Sequence, residues 1–166
     1  MTFPSRLRWL VLTFVIVIFD RYTKMKVETP DTPAGWRHEV IHNFIYIVHS
    51  VNPGIAFSMF ADSESPFLRY SLIALSFVFI VVLVWLLLSS KSATWRTLSG
   101  LALLIGGAAG NLTDRIFHGG VTDFFEVWFG SYRYPAFNLA DSAIAVGAIL
   151  VLLDVLFPPK HPANPH

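Results

Sequence analysis

The segment FNLADSAIAVGAILVLLDVLF, residues 137–157, is apolar over almost its whole length. About 20 apolar residues in helix cross a hydrocarbon layer of about 30 Å, so this stretch alone points to a membrane protein. Yet Asn138 and Asp141 stand near one end of it. A carboxylate costs about 2.5–3.5 kcal/mol at the centre of such a helix and less toward the interface. Asp141 therefore belongs at an interface, and its presence there needs a reason.

The remainder of the chain has the same character. Of 166 residues, 54% are hydrophobic and only 14% charged, and mean hydropathy is +0.58. Soluble domains carry about a quarter charged residues. Three more apolar segments span about 7–22, 67–88 and 97–114. Arg6 and Arg8 precede the first of these, as in a signal peptide, but no small-residue cleavage site follows. Asp20, Arg21, Tyr22, Thr23 and Lys24 come instead, so the segment reads as a retained helix. The expected fold is an integral membrane, mainly α protein. A single membrane-embedded domain over 1–166 has four transmembrane helices, at 7–22, 67–88, 97–114 and 137–157. A small β-rich extracytoplasmic subdomain, about 30–62, lies between helices 1 and 2. Within it WRHEVIHNFIYIVH (36–49) is rich in aromatic and β-branched residues and reads as a hairpin, with an NPG turn at 52–54.

Four spans put both termini on one side. That side carries Arg6, Arg8, Lys91, Arg96 and Lys160 in short stretches free of acids, which places it in the cytoplasm. The net charge of +1 and the lack of a basic cluster argue against nucleic acid. With no cysteine, disulfides, thiolate metal sites and cysteine catalysis are excluded. The six histidines form no HExxH pattern, so no metal or other cofactor is expected.

Polar residues gather at the outer end. Asn138, Asp141, Ala145 and Ala148 share one helical face, as do Gly107, Gly110, Asn111 and Asp114. Gly106 and Gly110 form a small-xxx-small pair that permits close helix approach. The two stripes are expected to face each other and line a pocket. Asp20 and Lys24 have the i,i+4 order of a helical ion pair. Asp154 has no polar neighbour on its own face and reads as a tolerated interfacial residue. Two aspartates about 3 Å apart cannot both ionise cheaply, so they share a proton and supply an acid and a base together. Such a pair hydrolyses peptides without metal, serine or cysteine. Asp114, Asp123 and Glu126 are the candidate partners for Asp141. Arg115 favours the charged form of Asp114, whereas Asp123 lies in the apolar run VTDFFEV, so local sequence prefers Asp123. No spacing rule selects it. A proton-coupled transporter, or a non-catalytic protein binding lipidated helices, would also place acids at membrane depth.

Five stretches occur in an order that resembles bacterial lipoprotein signal peptidase, the type II signal peptidase, an intramembrane aspartyl protease. They are DRYTK (20–24), NPGIAFS (52–58), GGAAGNLTDR (106–115), VTDFFEV (121–127) and FNLADSAI (137–144). The resemblance implies that Asp123 and Asp141 are the catalytic pair. It further implies supporting roles for Asp20, Lys24, Asn52, Gly54, Asn111, Asp114, Arg115 and Asn138. Asn111 and Asn138 would orient the pair, Arg115 would bind a substrate carbonyl with Asp114 holding it, and Asn52 and Gly54 would shape the outer loop. The implied substrate is a prolipoprotein whose cysteine already bears diacylglycerol, cut just before that cysteine. The implied setting is the bacterial inner membrane, with the protein acting as a monomer among membrane lipids and with globomycin as an inhibitor in the same cleft. Two departures stand out. Arg21 replaces the glutamine of the usual DQxxK, and Pro53 and Ile55 are unusual in the NPGIAFS stretch.

Overall fold

The computed structural model describes residues 6–53, 66–90 and 93–158. Gly54 and the rest of the stretch to Ser58 lie outside these residues. Helix α1 covers Trp9–Val27 and is followed by strands β1, Arg37–Ile41, and β2, Ile45–Asn52. Helices α2, Pro66–Ser89, and α3, Trp95–Phe117, come next. Strands β3, Val121–Phe129, and β4, Tyr132–Phe137, then lead into α4, Leu139–Leu156.

Helix α3 is the centre of the bundle. Its small residues let neighbours approach on two sides. A Cβ on Gly106 would come within 2.9 Å of the Ile16 Cβ on α1, and one on Gly107 within 2.3 Å of the Ala140 carbonyl oxygen on α4. The expected meeting of the third and fourth helices thus occurs through Gly107, while Gly106 serves α1. Leu83 and Leu87 of α2 complete the apolar core with Leu98, Leu101, Leu104 and Ile105 of α3.

The outer surface of the helices is the reverse of a soluble protein's. Phe14 and Ile18 on α1, Phe67, Leu75 and Trp85 on α2, and Ile149 and Val155 on α4 are all exposed. Helices α2 and α4 are long and apolar enough to cross a membrane. A continuous apolar band of this kind needs lipid or a partner against it.

At the end of the bundle away from the sheet, Arg6 Nη1 donates to the Leu88 carbonyl at 2.7 Å. Thr94 caps α3 by accepting from the backbone N–H groups of Arg96 and Thr97. Asp154 is not isolated, contrary to the sequence reading. Its Oδ2 accepts from the hydroxyls of Thr94, at 2.8 Å, and Thr97. The partners come from another helix, which inspection of one face of α4 could not reveal.

The sheet is an antiparallel meander in the order β1-β2-β3-β4. The expected hairpin over 36–49 is present as β1 and β2, and Asn43 adopts the left-handed φ of 52° at its turn, a conformation asparagine tolerates. The sheet is not confined to the segment between helices 1 and 2, however. Half its strands, β3 and β4, come from the segment between α3 and α4. Strand β3 lies between β2 and β4, and its run VTDFFEVWF lacks the strict alternation by which a half-buried strand is recognised. Gly130 takes a positive φ of 63° in the β3–β4 turn. The fourth helix also starts later than expected, since Phe137 ends β4 and Asn138 has extended backbone.

Close approach at Gly107 sets the register of α3 on α4. Gly107→Ala should destabilise the protein by about 1–3 kcal/mol, as overpacking does. A clear fall in the detergent-solubilised melting temperature checks this.

Candidate active site

The site is built at the start of α4. Asn138 is its N-cap: Oδ1 accepts from the Asp141 N–H at 2.9 Å, and the Asn138 N–H donates to Asp141 Oδ2 at 3.3 Å. This reciprocal capping box satisfies two orphan donors at the helix start. It also fixes the Asp141 side chain. The amide nitrogen of Asn138 is left to reach elsewhere. It donates to Asp123 Oδ1 at 2.7 Å, Asn111 Oδ1 at 3.2 Å and the Thr122 carbonyl at 3.3 Å. Asn111 Nδ2 in turn donates to Asp141 Oδ1 at 2.8 Å. One buried asparagine therefore ties both aspartates to a common frame. They come together as a residue in the first turn of α4 and a residue of β3, with the cap residue Asn138 between them.

Of the candidate partners for Asp141, the other two are engaged elsewhere. Asp114 Oδ2 pairs with Lys24 Nζ at 2.7 Å, and Lys24 also pairs with Asp20 at 2.7 Å. Lys24 is wholly buried and donates a third bond to Asn111 Oδ1 at 3.2 Å. Asp20 Oδ1 accepts from the Ala140 N–H in the first turn of α4 at 2.9 Å, where the helix dipole favours negative charge. The pair on α1 thus anchors α3 and α4 beneath the site. Glu126 is buried in a separate cluster, held by Arg37 at 3.1 Å, Arg133 at 2.6 Å and the Trp128 indole at 2.7 Å. Removing one partner from such buried charges costs several kcal/mol, while the intact cluster is satisfied.

Asp123 is positioned by β3. It pairs with Ser50 across β2, and Asn52 at the end of β2 hydrogen-bonds its carboxyl. Burial, then the charge of Asp141, pushes Asp123 up to about 7, against the opposing pull of Asn138, Lys24 and Asn52. Thr122 precedes it, and all three of its polar groups are bound. Its N–H donates to Asp114 at 3.3 Å, its hydroxyl to Glu28 Oε1 at 2.6 Å, and its carbonyl accepts from Asn138. Glu28 is held by both Nη atoms of Arg21. Burial opposes the Glu28 charge, but Arg21 and Thr122 outweigh it and hold the carboxyl below its usual range. Arg21, the departure from DQxxK, therefore has a partner, and it also lies 3.5 Å from Asp114.

A cavity of about 480 Å³ opens over the two aspartates. Asn52, Asn111, Arg115, Asp123 and Asp141 form its polar part, and Phe79, Val121, Tyr134 and Ile144 are among its apolar lining residues. Arg115 Nη1 donates to the Asn111 carbonyl at 3.4 Å, and its charge interacts with Asp141, Asp123 and Asp114. Asp114 forms direct ion pairs with Lys24 and Arg21, and His118 Nδ1 lies 3.8 Å from its Oδ1. A second cavity of about 360 Å³, lined by Val127, Phe129 and Ser142, shares Tyr134, Phe137, Asp141 and Ala145 with the first.

Residues 12–157 match the family model for signal peptidase (SPase) II. The chain belongs to the signal peptidase II family. A lipoprotein signal peptidase of Solibacter usitatus (strain Ellin6076) is 39% identical over 160 residues, which is 95% of this chain and 97% of the relative. One of Xylella fastidiosa (strain M12) is 41% identical over 160 residues, 96% of this chain and 95% of that one. A bacterial membrane enzyme solved by the in meso method at 2.3 Å resolution superposes with a TM-score of 0.80 at 26% identity, covering 95% of this chain and 94% of the other.

In this signal peptidase II, sequence reading brought Asp20, Lys24, Asn52, Asn111, Asp114, Arg115, Asp123, Asn138 and Asp141 to one region, and the structure places them together. It missed Thr122 and Glu28. Alternation along β3 turns Thr122 away from the face of Asp123, and the only signal for Glu28 was a lone acid one helical turn after Lys24.

Two outcomes are expected. Thr122→Val removes the hydroxyl donor to Glu28, which keeps Arg21, and should lower turnover about tenfold, a loss of roughly one net hydrogen bond to a charged group, with Thr122→Ser restoring it in the same peptidase assay. Asp123 carries a raised pKa, so the folded protein binds a proton that the unfolded chain has lost between about pH 4 and about pH 7. Stability should fall across that interval, and Asp123→Asn should melt higher than the parent at pH 8, with the gap narrowing as pH falls.

Proposed function

We propose that this peptidase removes signal peptides from diacylglyceryl-modified prolipoproteins by aspartyl catalysis, cutting before the lipid-modified cysteine. The observation that carries this reading is the single residue Asn138 bonded to both carboxyl groups, to Asp123 through its side-chain nitrogen and to Asp141 through its backbone N–H, beside a cavity that both aspartates line. The Asp141 carboxyl accepts from Asn111 and from the Asn138 N–H, which suits a carboxylate acting as base. Asp123, raised to about 7 by burial and by the Asp141 charge, holds the proton.

Asp141 takes a proton from water, whose oxygen attacks the scissile carbonyl. Asp123 gives its proton to the carbonyl oxygen. Collapse of the tetrahedral diol returns that proton to Asp123, breaks the C–N bond, and passes the proton on Asp141 to the leaving amine. Arg115, charged and beside both carboxyl groups, would hold a substrate carbonyl. Asn52 and Gly54 would shape the loop over the site.

All four helices would cross the membrane, α1 and α3 using their polar ends to complete the span, as one domain with cytoplasmic termini. The sheet would lie at the outer face of the bacterial inner membrane. Arg6 and the α3 N-terminal turn sit at the opposite end from the sheet, as basic residues on the cytoplasmic side should. Globomycin would occupy the same cleft, and the enzyme would act as a monomer among lipids. A transporter is not favoured: between the site and the Asp154–Thr94 contact, α3 presents buried Leu101, Ala102, Leu104 and Ile105, so among these residues no polar relay crosses.

Purified enzyme given a diacylglyceryl prolipoprotein tests the reading. Asp123→Asn and Asp141→Asn should each lose at least about 100-fold in cleavage while still folding. A wild-type rate in either variant contradicts the assignment. In the parent, kcat/KM should decline as pH rises through about 7, where the shared proton leaves.

A further inference from the structure

Two cavities follow the sheet away from Asp123, on a side that the catalytic reading leaves unused. The nearer, about 340 Å³, is lined by Ser50, Asn52, Asp123, Arg133 and Pro135 among others. The farther, about 440 Å³, shares Ser50, Val51 and Arg133 with it and adds Arg37, His49 and Glu126. Their shared lining makes them one corridor that starts at Asp123. Its lining mixes serine, asparagine, histidine, arginine and glutamate with Trp36, Val48, Val51 and Pro135, and is more polar than that of the cavity beside Asp141, where valine, phenylalanine and tyrosine dominate.

The farther cavity carries an excess of positive charge, with Arg37 and Arg133 against Glu126, while Asp123 lines only the nearer one. Arg37 and Arg133 both turn to the single carboxylate of Glu126. Both guanidinium side chains remain about half exposed, at 42% and 56%. Arg37 is held rigidly: its guanidinium lies 3.7 Å from the Tyr46 ring centre and 5.1 Å from that of Trp128. Two fixed cations against one anion leave room for a second anion.

The substrate of the proposed reaction has two unlike ends at the scissile bond. The acyl chains and signal helix are apolar. The polypeptide after the cysteine is polar and must leave toward water. We infer that the corridor from Asp123 past Arg133 to Arg37 receives the first residues following the lipid-modified cysteine, and that the two arginines make this subsite prefer acidic over basic side chains there. The inference rests on the proposed peptidase activity and deepens it by assigning a specificity subsite. Arg133, which lines both parts of the corridor, sets the preference most strongly.

The test uses full-length enzyme in detergent and a set of diacylglyceryl prolipoprotein substrates. Each of the first four residues after the cysteine is changed in turn to Glu, Gln or Lys. At one or more positions the Glu substrate should exceed the Lys substrate in kcat/KM by about two- to fivefold, the effect of a half-exposed ion pair. The ratio should shrink in high salt. Arg133→Gln should bring it toward one, and Arg133→Glu should invert it. Arg37→Gln provides a second variant if Arg133→Glu does not fold, and should reduce the ratio at positions farther from the cysteine. A Glu-to-Lys ratio near one in the parent overturns the inference, as does a ratio that Arg133→Gln leaves intact. Arginine variants that lose activity equally on all substrates, in proportion to the anionic lipid supplied, would assign these side chains to lipid headgroups and also overturn it. Failure of the underlying reading is separate: it would be seen as undiminished cleavage of every substrate by Asp123→Asn.

Discussion

The site depends on how one asparagine divides its hydrogen bonds. Asn138 uses its backbone N–H and side-chain oxygen to form the capping box with Asp141, and its side-chain nitrogen to reach Asp123. The helix start and the sheet are thereby joined at a single residue. The cap is a stability device found at many helix N-termini. Here the same geometry places a carboxyl in the first turn of α4 and leaves one amide free to hold a second carboxyl from β3.

That arrangement brings two acids into a buried place, and the surroundings make it tenable. Lys24 lies beneath, bonded to Asp20, Asp114 and Asn111, and neutralises part of the negative charge without touching either catalytic candidate. Asp20 receives the Ala140 N–H of α4. The network therefore fixes three helices at the depth of the site. From the other side Arg21, Glu28 and Thr122 tie α1 to the start of β3. Asp20, Lys24, Arg21, Glu28 and Asp114, charges that a bilayer would penalise singly, each have an opposite charge beside them. The residual imbalance falls on Asp123, whose proton is retained to about 7. A polar corridor and an apolar cavity then extend from the two sides of the pair.

Much of this is legible in the chain. Hydropathy locates the four helices because a long apolar run must be buried or face lipid, and helix satisfies its backbone there. The hairpin at 36–49 carries β-branched and aromatic residues, and the small residues of GGAAGN announce close packing. Other parts are not legible, for physical reasons. A central strand such as β3, covered on both faces, reads as an apolar run, so the sheet looks smaller in sequence than it is. A cap cannot be told from a helical position by spacing alone, since i and i+3 serve both, and so Asn138 reads as part of the helix. The threonine partners of Asp154, and Glu28 as the partner of the Thr122 hydroxyl, lie between 57 and 94 residues away in sequence. One-dimensional patterns report a residue's own face and are silent about what meets it.

Direct observation of the proton bears most closely on this account. Carboxyl stretching bands of the purified enzyme, followed by infrared difference spectroscopy from acid to alkaline pH, report each protonated aspartate. A band should persist in the parent and vanish with a midpoint near 7. It should be absent in Asp123→Asn and should titrate at lower pH in Asp141→Asn, where the neighbouring charge has been removed. A parent enzyme in which every carboxyl has ionised by about pH 5, as ordinary aspartates do, would contradict the shared-proton pair.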